Sequence, residues 1–268
     1  MYILRGVYPT LKVSHFFARR ELKGRFSGSL LGPLVLFAQP VLMCIILLFV
    51  FSYVFRVKLP GGAAAPDFGL FLISGFVPWM QFQESATRAS SCIIENRELV
   101  LKTTFSLESI VIGVSSAVHL IYLPLLAVFA LYCVYAKAGP PLCSVALSMM
   151  ELVLLSFLQL LYTVGVGYIL SSLSVYVRDL LQVVPVLFQL WFYATPIVYP
   201  MSMVPQKFRV VLSLNPWRLY AEGYRSLLLY FKPLNIEMVS ALLITSVLTF
   251  LVGRFVFVRL KDGFADAL

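Results

Sequence analysis

Six stretches of the chain contain no Asp, Glu, Lys or Arg: residues 26–55, 68–83, 109–136, 152–177, 180–206 and 238–253. Charge returns between them in short clusters. A helix that crosses a bilayer needs roughly 20 mainly apolar residues. Four of these windows reach that length unaided, and 68–83 and 238–253 reach it by extending past Glu84 and Arg254. None alternates apolar with polar positions, so a closed β-barrel is not expected. The pattern predicts an all-α integral membrane protein with six transmembrane helices, at about 29–55, 68–88, 107–135, 145–175, 180–196 and 236–258. The whole chain reads as a single transmembrane domain.

The segments around the windows have patterns of their own. Over residues 7–26, Val7, Leu11, Ala18, Leu22 and Phe26 share a helical face, with Lys12, Arg19 and Lys23 beside it and Phe16 and Phe17 interrupting it. This predicts an N-terminal interfacial helix whose basic side chains reach lipid phosphates. An ordinary basic flank of the first span is the alternative. The first 26 residues are too charged for a cleavable signal, so the first span is expected to act as the targeting signal.

Between the second and third spans lies IIENRELVLKTTFSLES, Ile93–Ser109. Glu98 precedes Lys102 by four residues, the favourable order for a helical ion pair. Ser106 followed by Glu108 suits the start of the next helix, where an acid meets the positive end of the dipole. A short inner helix over 94–105, a break near Thr103–Phe105 and a new helix are predicted. The fifth window differs from the rest. Prolines at 185, 196, 200, 205, 216 and 233 cannot be carried by one α-helix. A break is expected around Thr195–Pro196, after roughly 23 Å of helix, short of a core ~30 Å thick. Irregular backbone at that depth needs protein or a water-filled cavity around it. Two short helices, near 205–213 and 217–231, are expected within an outer segment 197–232.

Composition agrees with the pattern. The chain of 268 residues is 60% hydrophobic and only 12% charged, against about 25% charged in soluble domains. With the N-terminus inside, 13 Lys and Arg fall on the inner side and 8 on the outer, which favours cytoplasmic termini. The net charge of +9 is read as contact with anionic lipid rather than nucleic acid. Cys44, Cys92, Cys133 and Cys143 have no paired spacing and read as small apolar residues. His119 reads as a packing residue. No phosphate-binding GxxxxGK[ST] motif, metal-ligand spacing or Ser/His/Asp set occurs, so no catalytic residue, metal or cofactor is assigned to this chain. Work driven by ATP would need a separate ATPase.

Three ordered features, LGPL at the first span, GFVPWMQFQESATRASSCIIENRELVLKTTFSLESI, and RDLLQVVPVLFQLWFYATPIVYPMSMVPQKFRVVLSLNPWRLYAEGYR, resemble the membrane subunit of ABC-type polysaccharide exporters. That group moves O-antigen, capsule and teichoic-acid chains. The family usually has proline where Ser106 stands. The resemblance implies a homodimer in the bacterial inner membrane, with ATP and Mg held by a cytoplasmic ATPase subunit. It implies a coupling helix docking that ATPase through Glu95, Asn96, Arg97, Glu98, Leu99, Lys102 and Phe105. Outer gate helices would follow the broken fifth span. The cargo would be a polysaccharide on a polyprenyl-diphosphate lipid. Trp79, Phe82, Trp191, Phe192, Tyr193 and Tyr199 could stack on sugars, packing being the alternative. Arg88, Arg19, Arg20, Lys23 and Arg25 could meet the lipid diphosphate, bilayer headgroups being the alternative. A related ABC permease for drugs or simpler lipids, or a membrane-embedded glycan transferase, remains the competing reading. The transferase would want a cluster of catalytic residues, yet Glu222 is the only acid from 180 to 235.

Overall fold

The structure, a computed structural model, describes residues 2–26, 32–57, 59, 67–102, 106–136 and 141–268, without the side chains of 2–11, 26, 32–37 and 102. The start of the first span, the turns at 60–66 and 137–140, the break at 103–105 with Phe105, and the Lys102 side chain lie outside the described residues.

Among the described residues every regular element is helical. In chain order these are α1 (Tyr2–Phe26), α2 (Gly32–Leu48) continued by a π-helix (Phe49–Val54), α3 (Phe68–Glu95) and α4 (Arg97–Lys102). Then come α5 (Glu108–Ala136), α6 (Leu142–Tyr176) and α7 (Leu180–Tyr193). A 3-10 turn at Met201–Met203 precedes α8 (Gln206–Ser213), α9 (Pro216–Leu229) and α10 (Ile236–Leu260), and another at Lys261–Gly263 precedes α11 (Phe264–Ala267). Among the described residues three helices are long and apolar enough to cross a membrane by themselves: Glu108–Ala136, Leu142–Tyr176 and Ile236–Ala267.

α3 is long enough, at 28 residues or roughly 42 Å, but more polar. It is the hub of the bundle, packing on α5, α6, α7 and α9. Its polar side chains are therefore turned to protein. Gln81 Nε2 donates to the His119 carbonyl at 3.1 Å, and Gln159 Nε2 donates to the Pro78 carbonyl at 2.9 Å. A polar group hydrogen-bonded inside the bundle costs far less to bury than an unpaired one.

Two close crossings set the bundle's shape. A Cβ added at Gly165 of α6 would come within 2.6 Å of the Thr249 and Phe250 backbone of α10, and one at Gly253 would collide with the Gly165 carbonyl. At the other crossing, a Cβ at Gly113 of α5 would stand 2.6 Å from Phe17 Cβ and the Ser14 carbonyl of α1. α1 thus lies along α5 with Ser14, Phe17 and Ala18 buried, while Lys12, Arg19 and Lys23 are exposed. The main core gathers Trp79, Phe82, Tyr162, Phe188, Trp217 and Tyr220 around α3, and a second cluster fills the end of the bundle near α4 and α11.

Candidate functional site

The α3–α4 junction is made by one residue. Asn96 leaves helical geometry at φ −102°, ψ 22°. Its side-chain amide donates to the Cys92 carbonyl at 2.7 Å, and its backbone carbonyl accepts from Leu99 N and Val100 N at 2.9 and 3.1 Å. One side chain closes α3 while the same residue's carbonyl opens α4. Its remaining side-chain oxygen accepts from Arg20 of α1.

A chain of charges extends that contact. Arg88 donates to Glu21 of α1 at 2.9 Å and to Glu95 at 3.1 Å. Arg25 pairs with Glu21 at 3.2 Å and with Glu84, which also accepts the Tyr122 hydroxyl at 2.6 Å. Pairs that are partly enclosed and shared among several acids hold geometry better than isolated surface pairs. On the far side of α4, Glu95, Arg97, Glu98 and Leu101 are exposed, whereas Leu99 and Val100 turn partly inward. The exposed surface there is small, mixed in charge and rigidly backed.

The opposite feature is the break after α7. Asn215 caps α9, accepting from Trp217 N at 3.0 Å, and the same oxygen accepts from the Trp191 indole at 3.0 Å. Its amide donates to Thr195 Oγ1 at 2.8 Å. Arg225 reaches the break from the other end of α9. Its two terminal nitrogens donate to the Pro196 and Ile197 carbonyls at 2.8 and 2.7 Å, and its guanidinium lies 3.7 Å from the Phe71 ring centre. α9 therefore clasps the irregular backbone at both ends. This is the donor supply that a proline-rich break requires.

The profile of the ABC-2 type transporter membrane family matches residues 15–229. The chain belongs to the ABC-2 type transporter family. It is 32% identical over 249 residues to the O-antigen export system permease protein RfbA of Klebsiella pneumoniae, covering 93% of this chain and 92% of that one. It is 29% identical to RfbA of Myxococcus xanthus over 273 residues, covering 100% and 97%. It is 24% identical over 197 residues to the polysialic acid transport protein KpsM of Escherichia coli, covering 74% and 73%.

Within this ABC-2 permease the residues singled out from sequence divide clearly. Glu95, Asn96, Arg97, Glu98 and Leu99 are brought together at the α3–α4 junction, with Asn96 buried and acting as its hinge. Of the cationic candidates, Arg25 and Arg88 are engaged by Glu21, Glu84 and Glu95, so their charge is neutralised inside the chain. Arg19, Arg20 and Lys23 are exposed.

Of the aromatic candidates, Trp79 and Phe82 have their faces filled. Trp79 lies 5.0 Å from Trp217 and Phe82 4.9 Å from it, ring centre to ring centre. Both are fully enclosed, and Phe192 is buried against Phe76 and Trp79. These three are packing residues of this subunit, because neighbouring rings already occupy the surface a sugar would need. Trp191 and Tyr199 are half-buried and Tyr193 is exposed. Sequence reasoning did not single out Asn215, Gln159 or the clasping role of Arg225. Their partners are mostly backbone carbonyls and distant amides, and only the NPW tripeptide at 215–217 hinted at a capped helix start.

Proposed function

We propose that this chain is the transmembrane subunit of an ATP-driven exporter that carries a lipid-linked polysaccharide, of the O-antigen class, across the bacterial inner membrane. The observation that carries this reading is the alignment with O-antigen export permeases over 93% of the chain. The finer topology has six spans, formed by α2 with its π-helix, α3, α5, α6, α7 and α10, with both termini cytoplasmic. α4 is the coupling helix, and its exposed Arg97, Glu98 and Leu101 meet a separate ATPase subunit that holds ATP and Mg.

α7, α8 and α9 form the outer gate of a path built by two copies of the chain. Gln182, Val186, Gln189 and Tyr193 make one exposed stripe on α7. Amides are costly against lipid, which supports turning that stripe to the path or the second copy. Of the candidates, Trp191, Tyr193 and Tyr199 are the aromatics open enough to stack on sugar rings, and Arg19, Arg20 and Lys23 are the exposed cations that would face a lipid diphosphate or the bilayer headgroups.

The test is to purify the chain with its ATPase from native membranes and identify the co-purifying lipid by mass spectrometry. A polyprenyl-diphosphate glycan is the expected result. A drug-like or simple lipid as the sole specific ligand would sink the polysaccharide reading.

A further inference from the structure

α10 does not end in a loose tail. The 3-10 turn Lys261–Gly263 carries the chain directly into α11. Phe264 is fully buried, with its ring edge-on to Phe257 at 5.4 Å and against Tyr176 at 6.1 Å. The Tyr176 hydroxyl donates to the Leu260 carbonyl at 2.7 Å, and a Cβ at Gly263 would stand 2.5 Å from that hydroxyl. The Lys261 ammonium lies 3.4 Å from the carboxylate of Glu108, the first residue of α5, which also accepts the Ser106 hydroxyl at 2.8 Å. The segment is thereby fastened to α6, α10 and the start of α5.

It also reaches α4. The two helices touch. Leu99 and Val100 of α4, and Ala267 and Leu268 beyond α10, pack on one buried cluster that contains Phe257 and Phe264. A helix of six residues is far too short to hold itself together. Asn96, held by Arg20 of α1, anchors its start through Leu99 N and Val100 N, and α11 lies against it.

We propose that residues 261–268 are a buttress for α4, through which force applied to α4 enters α10 and α6 as well as α5. Phe264 is its positioning residue. The transmission half of this proposal rests on reading α4 as the ATPase-docking helix, whereas the buttress itself does not.

The test uses the full chain assembled with its ATPase and reads amide hydrogen exchange over residues 97–102. Phe264→Ala removes the ring, and Phe264→Leu keeps most of its bulk. Phe264→Ala is expected to speed exchange over 97–102 by at least about tenfold, since local opening governs such rates, while exchange in α9 stays unchanged. Phe264→Leu is expected to restore most of the protection. ATP turnover should continue while export per ATP falls. Unchanged exchange over 97–102 in folded Phe264→Ala overturns the buttress, and undiminished export per ATP despite faster exchange overturns the transmission.

If Phe264→Ala fails to fold, Leu268→Asp, at a partly exposed position, is the second variant, with the same expected and overturning results. Glu98→Arg separates the two readings. Normal ATPase co-purification with that variant removes the docking assignment, and the exchange result still decides the buttress.

Discussion

Arg225 is a guanidinium buried at the heart of an apolar bundle, with no ion pair among the described residues. Two carbonyls and an aromatic face take the place of a carboxylate. Removing it would leave the Pro196 and Ile197 oxygens without donors, at about 1–3 kcal/mol each. Relief of the buried charge offsets part of that loss. Arg225→Met is therefore expected to lower the Tm of the purified protein and to impair export. Arg225→Lys should fall between, because an ammonium cannot reproduce the planar fork. A wild-type Tm for Arg225→Met would show that the clasp does not hold the break. In the sequence, Arg225 reads like Lys207 and Arg209, as one more interfacial cation in an aromatic segment. Lys207 and Arg209 are indeed exposed. Arg225 differs because its acceptors are backbone oxygens 29 and 28 residues away, and a carbonyl leaves no mark on a sequence. Arg25 and Arg88 were obscured in part in the same way: Glu21 stands four residues before Arg25 on α1, but the Arg25–Glu84 and Arg88–Glu21 pairs form only after α1 docks.

At the scale of elements, charge-free windows made the helical class legible, because a bilayer imposes both length and composition on a helix. Prolines made the end of α7 legible, since each removes a backbone donor. The π-helix at Phe49–Val54 had no such signal. Neither did the division of one expected inner helix, 94–105, into the end of α3 and a separate α4 hinged on Asn96. A glycine within a span, as at Gly165, permits close helix packing, yet its partner, the α10 backbone around Thr249–Gly253, could not be read from spacing. That crossing supplies a direct test. Gly253→Ala must push α6 and α10 apart or distort both, at roughly 1–3 kcal/mol by the usual cost of overpacking. The expected outcome is a lower Tm and a lower yield of folded protein, with Gly165→Ala behaving alike. Gly24→Ala, in α1 where an added Cβ meets nothing within 4 Å, is the control and should be neutral or slightly stabilising. Equal stability of Gly253→Ala and Gly24→Ala would mean that the helices cross less tightly than described.

At the scale of the whole molecule, α3 runs from the α4 junction to the break after α7. Its far end passes into Asn96, and its Phe71 and Gly75 lie under Arg225. Between these ends, α3, α6 and α9 are tied by a single amide. Gln159 donates to the Pro78 carbonyl at 2.9 Å and to Gln81 Oε1 at 3.2 Å, and it accepts the Tyr224 hydroxyl at 2.5 Å. Helices held by packing alone could slide past one another, whereas this amide fixes the register of three at once. A push on α4 that travels along α3 would therefore reach α9 as a movement of the unit rather than be lost between helices. Gln159→Leu is expected to lower Tm and to depress export more than it depresses ATP turnover. It leaves the Tyr224 hydroxyl and the Gln81 oxygen buried without their partner, at about 1–3 kcal/mol per group. Tyr224→Phe removes one of those orphaned groups. The double variant should then be less destabilised than the sum of the two single variants, by the 0.5–3 kcal/mol typical of residues in one hydrogen-bond network. Strict additivity in that cycle would mean that Gln159 and Tyr224 do not act together, and α9 would then have to follow α3 through the packing of Trp217 on Trp79 and of Arg225 on Phe71.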